Sequence, residues 1–103
     1  MNNKILENKF NQKIMDSIEE TKKLGYVPTR FIQMLQKVNG NAYELAMSIA
    51  SKDVTLGLEK LWEKGRLDLT MEAIIIKPEY QELFPLEMID ICRKKLEKFG
   101  YKK

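Results

Sequence analysis

The chain has no histidine and one cysteine, Cys92, and nowhere do its glycines fall in the spacing of a phosphate-cradling loop. Without an imidazole, the side chain most often used to move protons near neutral pH is missing. A lone thiol excludes an intramolecular disulfide, and a thiolate zinc site would need ligands that the chain lacks. With so few parts of common catalytic sites, the expectation is a protein that is not an enzyme and uses no cofactor and no metal.

Long apolar runs are also missing. The longest unbroken block is Ala73–Ile76, far below the roughly 20 residues of a membrane-spanning helix. Lys4, Glu7 and Lys9 stand where a signal peptide would carry its apolar stretch. Together with the solitary cysteine, these features predict a cytoplasmic, non-membrane protein in a reducing compartment. No segment alternates with period two, and Ile74-Ile75-Ile76 is the only β-branched run, so a strand would have no partner.

What is present describes a helical domain. At 103 residues the chain has apolar material for one core, so residues 1–103 are read as one domain. Its 44% hydrophobic and 32% charged content is that of an ordinary globular protein. The net charge of +3 is unevenly placed, with 6 basic and 3 acidic side chains in residues 85–103 against 6 and 8 in residues 31–84.

Apolar spacing predicts an all-α, compact bundle of about five to six short helices. Leu6, Phe10, Ile14 and Ile18 recur every fourth residue along a first helix. Its Ser17-Ile-Glu-Glu20 reads as a capping box and predicts a restart or kink, and Gly25 supplies a stop. A second helix starts at Pro28 or Thr29, carries Phe31, Ile32, Leu35 and Val38, and ends at Asn39-Gly40. Asn41 is the expected N-cap of a third, whose Ala42, Leu45, Ala46, Ile49 and Ala50 fit the helical template.

Asp53 or Thr55 is the expected cap of a fourth helix, with Leu58, Leu61 and Trp62 on its apolar face and Gly65 as its stop. Thr70 caps a fifth that Pro78 ends, Glu79–Phe84 forms a further turn, and Pro85 opens a sixth. That last helix holds Ile89, Cys92, Leu96 and Phe99 and is closed by Gly100.

Each feature that resembles a site has a structural reading beside it. The break at Gly65 between the fourth and fifth helices outlines a helix-turn-helix, but Thr70-Met-Glu-Ala-Ile-Ile-Ile-Lys77 offers too few polar side chains to read bases. Arg66, Asp68 and Glu72 read as charges around a helix N-terminus, with Arg66 neutralising either acid, rather than as an acid–base cluster. Trp62 lies on an apolar stripe and is expected in the core, where truncation to alanine costs about 3–5 kcal/mol. Arg93, Lys94, Lys95, Lys98 and Lys102 are the clearest charge feature. They are read first as a solvated helix end and, as the alternative, as a nucleic-acid contact.

The segment Leu61-Trp-Glu-Lys-Gly-Arg-Leu-Asp-Leu-Thr-Met-Glu-Ala73, followed by Pro78-Glu-Tyr80, Leu83-Phe84 and Cys92-Arg-Lys-Lys-Leu96, resembles a small helical domain of unknown function found in bacterial proteins. The resemblance covers about the last half of the chain. It implies an all-helical domain and no catalytic or binding residues. The functional expectation is therefore a module acting through protein contacts, as a homo-oligomer or accessory subunit. Abundant apolar side chains and six methionines favour an adaptable surface.

Overall fold

A computed structural model describes residues 3–50, 52 and 57–101. Among them the only regular elements are helices: α1 (Lys4–Lys23), α2 (Thr29–Lys37), α3 (Ala42–Ile49), α4 (Leu58–Glu63), α5 (Met71–Ile75) and α6 (Leu86–Glu97). Two 3-10 helices, Leu67–Leu69 and Pro78–Leu83, flank α5.

The four-residue spacing along α1 places Phe10, Ile14 and Ile18 in the core, with Leu6 packed against its edge. The restart expected at Ser17 does not occur, and α1 runs unbroken from Lys4 to Lys23. The Ser17 hydroxyl donates to the Ile14 carbonyl at 2.9 Å, and Thr21 donates to the Ser17 carbonyl at 2.7 Å, so both side chains bond back along a continuous helix. Fully buried Ala42 and Ala46 bring α3 close to α1. The Asn11 side chain accepts from the Tyr43 backbone N–H at 2.9 Å, fixing that approach.

The expected caps at Asn41 and Thr70 are both made. The Asn41 side chain accepts from the Glu44 N–H, and Thr70 Oγ1 accepts from the Ala73 N–H. Asp53 and Thr55 lie outside the described residues, and α4 follows Gly57. At its far end Gly65 adopts φ +70°, while the Gly65 and Arg66 N–H groups donate to the Trp62 and Leu61 carbonyls. This paired closure needs a left-handed residue at Gly65. Pro85 stands just before α6 rather than as its first residue.

Every residue of α5 is buried, including Ile74 and Ile75 at 0% exposure, with Ile76 following at 7%. The isoleucines are thus covered by helices rather than paired as a strand. Pro78 ends this segment, and the 3-10 helix after it carries Tyr80 toward α1. Phe10 meets Tyr80 and Phe84 edge-on, with ring centroids 5.4 and 5.2 Å apart. α5 packs most extensively on α6, and the same apolar cluster runs from α1 through α3 to α6.

Candidate functional site

The stripe on α6 decides where its basic residues go. Met88, Ile89, Cys92 and Leu96 face the core, and Lys95 lies three residues beyond Cys92 and seven beyond Met88, on the same side. Lys95 is consequently buried, contrary to the solvent-facing position expected for it. Its ammonium donates to the Ala50 carbonyl at 3.0 Å, at the end of α3. It also stands 3.8 Å from a carboxylate oxygen of Glu72. Arg93, Lys94 and Lys98 are exposed, and Lys94 pairs with Asp90 at 3.1 Å. Lys102 lies outside the described residues, so the structure does not join the five expected cations into one patch.

Glu72 holds the expected place in the first turn of α5, but it is buried rather than paired with Arg66. Arg66 grips Asp68 alone, through two hydrogen bonds of 3.0 and 3.2 Å. That pairing, by hydrogen bond and then by charge, holds the Asp68 carboxyl below its ordinary range. Glu72 points inward and is 2% exposed. Burial raises its pKa, opposed by its own backbone N–H and by Lys95. At 3.8 Å the ion pair is longer than a charge-assisted hydrogen bond of about 2.7–2.9 Å, so desolvation prevails. Burial, with the Glu72 charge second, pushes the neighbouring Cys92 thiol up to about 12. A neutral thiol in the core is a poor nucleophile and a poor metal ligand.

A cavity of about 30 Å³ lies beside Glu72, lined on its polar side by Ser17, Thr21, Tyr26 and Thr70. That space holds about one or two water molecules and no substrate of ordinary size. No group of acids, cysteines or histidines among the described residues is arranged to hold a metal ion. No helix among them is long and apolar enough to cross a membrane.

Two further features lie at the surface. Trp62, expected in the core, is 50% exposed, with its ring tilted over Phe99 at a centroid distance of 5.9 Å. α4 is only six residues long, and Leu58 and Leu61 fill its inward positions, which leaves Trp62 about a quarter turn aside at the rim. The second feature is a groove of about 320 Å³ between α1 and α2, walled by Met15, Ile18, Ile32 and Leu35. α2 has a pronounced apolar side, yet only Leu35 is buried; Phe31, Ile32, Met34 and Val38 are half-covered.

The buried pair was readable in part. Spacing of i, i+4 and i+7 from Met88 through Cys92 to Lys95 marks a lysine on an apolar stripe. No local signal pairs it with Glu72, 23 positions upstream. No family model, curated protein or solved structure matches this chain.

Proposed function

We propose that this is a non-enzymatic helical module that acts by protein contact, and that the α1–α2 face is where a second copy of the chain binds. The incompletely covered stripe of α2 beside the groove carries this reading. An isologous pair would lay each copy's α1–α2 face on the other and remove Met15 and Ile32 from water, and two-fold pairing is the commonest closed assembly of identical chains. Each aliphatic side chain so covered favours association by up to about 1.5–3 kcal/mol before ordering costs.

Light scattering across a concentration series tests it. A dimer is expected, and Ile32→Glu, at a half-covered position, should return a monomer with unchanged helical circular dichroism. A wild-type chain that stays monomeric at every concentration would refute self-association. Nucleic-acid binding through Arg93, Lys94 and Lys98 is the weaker reading, because Lys95 is withdrawn into the core and Asp90 neutralises Lys94.

A further inference from the structure

Ser17, Thr21, Tyr26, Thr70 and Glu72 line one small cavity, and the hydrogen bonds already made there decide what it can hold. The Ser17 proton goes to the Ile14 carbonyl, the Thr21 proton to the Ser17 carbonyl and the Thr70 proton to the Leu67 carbonyl. Those three oxygens can only accept from a guest. Glu72, when ionised, also only accepts, and the ammonium that balances it comes from α6, which contributes no residue to the cavity wall. Among the described residues, Tyr26 is the one lining hydroxyl whose proton no carbonyl takes up. It is half-buried, with its oxygen 3.7 Å from where a Cβ on Gly57 would stand.

We propose that this cavity is a binding site for one long-lived water molecule, which accepts from the Tyr26 hydroxyl, donates to the Glu72 carboxylate and to a hydroxyl oxygen of α1, and so ties α1, the connector after it and α5 together. Size and charge select that guest. The cavity of about 30 Å³ exceeds the roughly 10–15 Å³ that a water needs. An anion would meet lone pairs and a carboxylate. An added cation would be a second positive charge beside a carboxylate that Lys95 already balances, in a place away from water. A neutral molecule that donates twice and accepts once suits the groups present, and buried Ile14, Ile49 and Leu61 offer it no other partner. The site also gives a reason for two hydroxyl residues, Ser17 and Thr21, on the buried face of α1 one turn apart.

Oxygen-17 relaxation dispersion of the full chain tests this, because it detects waters that stay bound longer than the protein takes to tumble. A long-lived water is expected, with cross-relaxation from it to the methyl protons of Thr21 and Thr70. The double variant Ser17→Ala, Thr21→Val removes both α1 acceptors while the Ile14 and Ser17 carbonyls keep their helical bonds, and the long-lived signal should disappear with helical circular dichroism unchanged. Tyr26→Phe, at a half-buried position, decides the matter if the double variant does not fold: it removes the donor, and the residence time should shorten about fivefold, the worth of one hydrogen bond. A wild-type chain without a long-lived water overturns the proposal. So does a signal that survives in the folded double variant, a residence time unmoved in Tyr26→Phe, or a signal displaced by ammonium chloride but not by sodium chloride, which would make the guest a cation.

Discussion

Replacing Thr70 by valine should destabilise the protein by about 2–3 kcal/mol, because one hydroxyl serves two buried backbone groups. Thr70 is 2% exposed. Its Oγ1 donates to the Leu67 carbonyl at 2.8 Å and accepts from the Ala73 N–H at 3.1 Å, closing the 3-10 turn onto the start of α5. Valine keeps the volume and removes both bonds, and each stranded buried group costs about 1–3 kcal/mol. For a domain of this size the melting temperature should drop by about 10–20 °C. Thr70→Ser keeps the hydroxyl and loses one methyl, about 0.8 kcal/mol, while Thr70→Ala combines both losses and exceeds the roughly 1 kcal/mol of a simple cap. Thermal melts and urea titrations followed by circular dichroism separate the three. A valine variant that melts with the wild type, or a serine variant as damaged as the valine one, would refute the assignment of this corner to the hydroxyl.

Other measurements probe the core and the break. Ile75→Ala, at a fully buried position, should cost about 2–5 kcal/mol in urea denaturation; a loss below 1 kcal/mol would place that side chain elsewhere. Gly65→Ala should cost about 1–2 kcal/mol through its left-handed backbone alone, since an added Cβ meets nothing within 4 Å. Gly65→Val should cost more in the same assay. Burial raises the Glu72 pKa, so the folded chain binds that proton more readily than the unfolded chain. The stabilisation is complete below the ordinary glutamate value of 4.5 and is lost as pH rises through the higher folded value. Subtracting the urea midpoints of Glu72→Gln from those of the wild type across pH isolates this contribution, and a flat difference would contradict it.

Periodicity and punctuation in the sequence set the helices. Fourfold spacing in α1, the alanine-rich face of α3, the caps at Asn41 and Thr70, and the glycine stop at Gly65 follow from local geometry and local hydrogen bonding, which a short window of residues contains. The burial of the triple isoleucine follows from composition as well, since so apolar a segment has no stable place in water. Only tertiary structure decided that Trp62 sits at the rim and that Lys95 turns inward to Glu72 and Ala50. Those outcomes depend on which neighbours fill the space around a side chain, and the neighbours come from distant parts of the chain. An isolated stripe specifies that a face will be covered; the covering elements determine whether a charge on that face finds a partner or reaches water.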